Sequence, residues 1–399
     1  MKLKTKIITF ALSFCLIIPS MFMLTACGDD EHTHSLTKIE AVAETCTTAG
    51  NTAYYKCDCG KYFSDEKAEN EIKKDSWIKS ATGHNLTGEY TYAIEGTKAY
   101  KVESCEHGDN VKTELTNYVV ANTTDVLNKI NSAEENAIVV LSAGNYSLLE
   151  LKGVSFEDNI TIVGVAGTNI DGVVISSGDD YHWGTPVAPQ QVLAKGWTFE
   201  QIKFTDGIFV HNGIIEDFTV RDCNFVDGAN IIMLPADISG DATGDYANET
   251  TSGLSKTYYA KNVVIEGNTF AETDDSAIYL QNVNNVTIRN NTINGTGFNG
   301  INISSERSAE NASEYTKNLG TILIEGNTIS NTGSRSVRMD SFDNTATLTV
   351  RNNILTNANV TESNSEVIKA TKTNSSTVTF EGNTYNGNAI AVGNNITKS

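Results

Sequence analysis

A chain of 399 residues that is 39% hydrophobic holds material for two or three domains and a sizeable core, and its four prolines exclude long proline-rich linkers. Its 49 acidic against 29 basic side chains give a formal charge of −20, which excludes nucleic acid and anionic lipid surfaces as partners unless a local basic patch overrides that field. No such patch is visible along the sequence. The first element in chain order is an export signal over residues 1–26. Lys2, Lys4 and Lys6 form its charged start, Ile7 to Met23 its apolar stretch, and Leu24-Thr25-Ala26-Cys27 its processing site. No other apolar run approaches the length of a membrane span.

The tetrapeptide ending in Cys27 resembles the bacterial lipobox. That resemblance implies a diacylated Cys27 as the new N-terminus. The mature chain is then an extracytoplasmic body on the bacterial cell surface, touching the membrane through its lipid only.

Residues 27–115 form a Cys/His module and spacer. Of the seven cysteines, Cys15 leaves with the signal and Cys27 carries lipid, so Cys46, Cys57, Cys59, Cys105 and Cys223 remain. The module repeats weakly. His34-Ser35-Leu36, Cys46, Gly50, Tyr54 and Cys57-Asp58-Cys59-Gly60 recur as His84-Asn85-Leu86, Gly96, Tyr100 and Cys105-Glu106-His107-Gly108. The pattern resembles a small tandem repeat in surface proteins of Firmicutes, and the second copy lacks two of its cysteines. Two chemistries fit the first copy. Structural zinc would take Cys46, Cys57, Cys59 and one of His34 or His84. A disulfide from Cys46 to Cys57 or Cys59 would serve the same structural purpose.

Residues 116–399 open with a short helix, Thr124 capping it and Val126, Leu127, Ile130 and Ala133 on one face. The strand Ala137 to Leu141 and the segment Ala143-Gly144-Asn145-Tyr146 follow. Seven segments beyond them superpose, opening at Phe199, Val220, Ile265, Ile288, Ile324, Val350 and Phe380. Their second column alternates in charge without a break: Glu200, Arg221, Glu266, Arg289, Glu325, Arg351, Glu381. Stacked at the ~4.8 Å inter-strand spacing, every acid in the middle of this column sits between two bases. The fourth column reads Ile202, Cys223, Asn268, Asn291, Asn327, Asn353, Asn383, a predicted ladder of inward asparagines with Cys223 as a buried thiol.

A chain with these features is a solenoid. The helix, strand and Ala-Gly-Asn-Tyr opening resembles the pectin-lyase-like group, which implies an all-β, right-handed parallel β-helix with an N-terminal capping helix behind the Cys/His module. Intervals along the charge column of 21, 45, 23, 36, 26 and 30 residues place the large insertions at 235–260 and 305–319. Second strands are expected at Ile208, Ile231, Ile278, Ile301, Val337, Val367 and Ile390.

Just before those strands lie Asp206-Gly207, Asp227-Gly228 and Asp274-Asp275. Stacked carboxylates shift one another's acidity and can supply an acid and a base. Their order resembles that of polygalacturonase-type glycoside hydrolases, which implies Asp227, Asp274 and Asp275 as acid and base, with Arg338 on substrate. Asn299 and Asp340 stand where that family carries its His and its substrate-gripping Lys. Aspartates also make good turns. A lyase would instead use a basic residue such as Lys256, Arg307, Arg335 or Arg338, with calcium held by acidic groups in the groove. Tyr181, His182 and Trp183 in a Gly-bounded loop, and Tyr258-Tyr259, are candidates to stack on sugar rings. Two classes of function fit: a hydrolase or lyase acting on a polysaccharide, or a non-catalytic module binding a cell-surface glycan.

Overall fold

The computed structural model describes residues 34–106, 108–152, 156–176, 192–211, 214–234, 260–281, 283–304, 320–342, 347–359, 366–372, 377–390 and 396–398. They divide into two compact units, one running to Tyr90 and including Glu103–Val111, the other comprising Thr91–Val102 and the chain from Lys112 onward. No helix among the described residues is long and apolar enough to cross a membrane.

The first unit is built from short antiparallel strands. Leu36–Ile39, Tyr54–Cys57, Tyr62–Phe63 and Glu71–Ile72 lie side by side. Its apolar interior is small, centred on Phe63 and on Trp77, whose ring stacks on Tyr54 at 4.0 Å. Leu86–Glu95, Lys98–Cys105 and Val111–Glu114 form a three-stranded sheet, of which residues 91–102 and 112–114 count with the second unit.

Within the second unit, Tyr118–Ala121 and a six-residue helix, Val126–Asn131, precede the coils. Val126, Ile130 and Ala133 are buried in the core, but Leu127 is exposed. The cap differs from expectation. The N-cap is Asp125 without a side-chain cap bond, because its carboxylate accepts the Asn122 N–H while Asn122 accepts that of Thr124. The loop before the helix thus closes on itself and takes the side chains a cap would use.

Every later coil adds strands in parallel. One sheet carries the charge column, with Glu200, Arg221, Glu266, Arg289, Glu325, Arg351 and Glu381 in register. The other contains two stacks, one through Thr269–Thr273, Thr292–Thr296 and Thr328–Thr332, the other through Ile278–Gln281, Ile301–Ser304 and Val337–Phe342. Alternation sends Ile, Val, Leu and Phe inward, and the interior is one continuous apolar cluster. Phe204, Phe225 and Phe270 stack there, at 5.0 and 4.5 Å between ring centroids.

The asparagine ladder turns each coil. Asn268, Asn291, Asn327 and Asn353 are buried. Each accepts, at its Oδ1, the backbone N–H of the ladder residue one coil earlier, at 2.9–3.0 Å. Their Nδ2 groups donate to carbonyls of that earlier coil, Val220, Ile265, Ile288 and Ile324. Cys223 takes a rung itself, its Sγ reaching the Phe199 carbonyl at 3.7 Å. The last coil turns back on itself. Thr384–Tyr385 pairs antiparallel with Asn388–Ala389, which blocks further parallel addition there. The strand that continues the second stack is Ile396–Lys398, not one at Ile390.

Candidate functional site

The predicted carboxylates sit on the turns that feed Asn230–Leu234 and Ile278–Gln281. Asp227 is exposed with φ 58, a left-handed conformation that Asp tolerates better than most residues. A parallel bridge joins Gly228 to Thr273. The Asp274 carboxylate lies over Gly228 so closely that a Cβ there would meet its Oδ2 at 2.9 Å. Asp227-Gly228 and Asp274 therefore share one exposed patch.

Asp275 is committed to its own turn. Its Oδ1 accepts the Ser276 backbone N–H at 2.7 Å, and Thr273 Oγ1 donates to the Asp275 carbonyl at 3.0 Å. The same threonine-closed turn recurs at Thr296 and Thr332, the register partners of Thr273. Gly297 and Gly333 occupy the Asp274 position in those copies. A Cβ at Gly297 would run into the Asp274 carbonyl at 2.0 Å, so the turns stack too tightly for a side chain. The expected stacking of Asp206-Gly207 on Asp227-Gly228 is shifted, since Gly207 pairs with Asn230 and not with Gly228. Partial burial, and secondarily the charge of Asp171, raise the Asp206 pKa above the usual carboxylate range.

Asn299 is fully buried. Its Oδ1 accepts the Arg335 backbone N–H at 3.2 Å, and its own N–H donates to Ser276 Oγ at 3.3 Å. It braces successive turns from within and does not face solvent. Arg335, a candidate base, is likewise buried.

Register assembles a surface that no linear stretch displays. Ile232, Tyr279, Asn302, Arg338 and Lys369 are successive partners, one per coil. Their strand neighbours point into the core, so these positions lie on the other face of each strand; Ile232, Tyr279, Arg338 and Lys369 are partly exposed there, whereas Asn302 is buried between its neighbours. Tyr279 is half-buried, its hydroxyl bonded to the Gln281 amide. Arg338 and Lys369 are half-buried, leaving two cations one strand spacing apart at the far end of the column. Superposing the segments by sequence alone sets Ile368 opposite Arg338, but the structure pairs Val337 with Ile368 and Arg338 with Lys369. One residue of slip exchanges the faces, which hides Lys369 from sequence reasoning.

Several candidates lie outside the described residues: Cys27, Tyr181, His182, Trp183, Lys256, Tyr258, Tyr259 and Arg307, and the side chain of Asp340.

In the first unit the expected set of Cys46, Cys57, Cys59 and one histidine does not come together. His34, Cys57 and Cys59 gather in one place; Cys46 and His84 gather in another, with Cys105 as their third member. The cause is the strand pairing. Tyr54–Cys57 runs beside Leu36–Ile39 and brings Cys57 to His34, while Cys46 sits on a separate loop. Cys57 and Cys59 neighbour one another, and Cys46 neighbours Cys105, so neither disulfide expected from Cys46 is formed.

A family model described as "Right handed beta helix region" matches residues 136–318. No curated protein matches the chain. Among solved structures, the family 28 exopolygalacturonase of Yersinia enterocolitica is similar, at 11% identity over 76% of this chain and 83% of that one, with a TM-score of 0.27. With its in-register parallel stacks and its continuous apolar interior, the second unit is a right-handed parallel β-helix.

Proposed function

We propose that the chain is a lipid-anchored, extracytoplasmic protein that binds an acidic polysaccharide along the column that carries Tyr279, Arg338 and Lys369. The observation that carries this reading is the register that sets an aromatic ring and two cations in one column of partly exposed positions, with Arg338 and Lys369 on consecutive coils. A linear polymer running parallel to the solenoid axis meets a new rung every ~4.8 Å. The tyrosine ring offers a face to a sugar, and the two cations offer ion pairs to carboxylate or sulfate groups. The overall charge of −20 does not forbid this, because screening at ~10 Å in 0.1 M salt leaves the local pair dominant at contact. The lipid anchor rests on the lipobox-like segment ending at Cys27.

Hydrolysis is the second reading, favoured by the exposed patch in which Asp274 lies over Gly228 next to Asp227. A single experiment separates the two. The mature protein is incubated with pectic, alginate and glycosaminoglycan polymers, with and without calcium. Retention, reducing ends and unsaturated-uronate absorbance are all measured. Binding is expected, weakened at least ~10-fold in Arg338→Ala/Lys369→Ala and by added salt. New reducing ends that vanish in Asp274→Asn would make the protein a hydrolase. Absorbance would make it a lyase, and no retention of any polymer would overturn the binding reading.

A further inference from the structure

The two copies in the Cys/His module are the same structure at their cysteine turns. In the first, the Gly60 N–H closes on the Cys57 carbonyl at 2.9 Å with Gly60 at φ 89; in the second, Gly108 closes on Cys105 at 2.9 Å with φ 86. In the first, the Asp58 N–H donates to the carbonyl of Ser35, the residue after His34. In the second, the Glu106 N–H donates to the carbonyl of Asn85, the residue after His84. Each copy is thus a pair of adjacent strand segments that carries a histidine at one end and delivers a cysteine beside it. His34 Nδ1 is 3.2 Å from Cys57 Sγ and 3.4 Å from Cys59 Sγ, and the Cys59 N–H donates to Cys57 Sγ. His84 and Cys105 meet Cys46, which the first copy supplies, and the Gly83 N–H donates to the Cys46 carbonyl at 3.1 Å. In each cluster the three ligand atoms lie within 4.8 Å of one another.

We propose that the module binds two zinc ions, one at His34, Cys57 and Cys59, the other at Cys46, His84 and Cys105. Two thiolates and an imidazole are the donor set that selects zinc over the hard divalent cations. The second ion ties the two copies together, because its ligands come from both. The need is physical: the unit buries few large apolar side chains, and a domain this small requires a staple.

The test uses the mature full-length protein purified without chelator. Metal analysis is expected to give two zinc per chain, one in Cys59→Ser, one in Cys105→Ser, and two in the control Cys223→Ser. Cobalt titration of metal-free wild type gives the same count without any substitution, saturating at two equivalents with thiolate-to-cobalt and tetrahedral bands. Chelation is expected to change the emission of Trp77, which lies in this unit. Zinc at one equivalent or less, cobalt saturation below two, or four cysteines protected from alkylation until reduced would overturn the proposal. The last result would identify disulfides in place of metal.

Discussion

At Asn327 a single buried side chain completes four hydrogen bonds, two to backbone and two to the asparagines above and below it. Its Oδ1 takes the Asn291 N–H and its Nδ2 reaches the Ile288 carbonyl, all within the buried ladder. Asn327→Ala leaves a buried donor and acceptor open, and a buried unsatisfied group costs roughly 1–3 kcal/mol. Urea unfolding should show a loss of that size, whereas Thr347→Ala on the exposed face should change stability by less than about 0.5 kcal/mol. Asp206 acts in the opposite direction. Its folded pKa is raised, so its ionised form opposes folding, and the penalty grows as pH rises from the unfolded value through the folded one. Asp206→Asn should therefore raise the thermal midpoint near pH 7 and leave it unchanged near pH 3, where both states hold the proton. A gain that persists in acid would assign the effect to something other than charge.

The alternating column shows that one sequence motif can carry different energies at different rungs. Glu200 has a fully buried carboxylate that holds Arg221 at 2.7 Å and receives the Tyr92 hydroxyl at 3.4 Å. Arg289, 2.6 Å from Glu266, is half exposed, and Glu266 keeps 23% of its side-chain surface in solvent where Glu200 keeps none. Removing one partner of a buried pair strands the other charge, while exposed pairs contribute little. Arg221→Met should cost roughly 3 kcal/mol and Arg289→Met less than about 1 kcal/mol by the same denaturation assay. Equal costs would show that the column acts uniformly and that burial at its first rung is irrelevant. The turns carry a similar lesson. Asp274-Asp275 resembled a catalytic pair in the sequence, yet the threonine-closed turn they occupy recurs as Gly297-Phe298 and Gly333-Ser334. Only Asp274 then reaches across to the neighbouring coil.

Across the solenoid, stability accumulates coil by coil, since each repeat contacts its neighbours and little else. Cys223 offers a reporter of that cooperativity. It lies fully inside, and burial pushes its thiol up to about 12, so native protein presents almost no thiolate. Alkylation followed by peptide mapping should modify Cys223 only across the unfolding transition of the β-helix. Modification in native buffer would reveal an opening of the coil at a free energy well below the global one.

Period along the chain was enough to read a solenoid of stacked strands, and the resemblance of its opening to the pectin-lyase-like group implied the β-helix. The charge column, the asparagine ladder and the apolar alternation are local patterns that repeat, and repetition survives without knowledge of contacts. Ladder positions Asn268 to Asn353 and the rungs Glu200 to Glu381 fell in register as read. Thr124 does not cap the helix, because Asp125 accepts the Asn122 N–H and Asn122 accepts that of Thr124, so the loop satisfies itself. What only the tertiary structure decided is which side chains meet. The basic pair Arg338 and Lys369 arises from a one-residue register that loop lengths obscure. The Cys/His module divides into two clusters because antiparallel pairing brings Cys57 to His34 and leaves Cys46 for His84 and Cys105. Repeat patterns are properties of the chain, whereas sites are made by side chains distant in sequence, and their proximity is set by pairing that no single segment encodes.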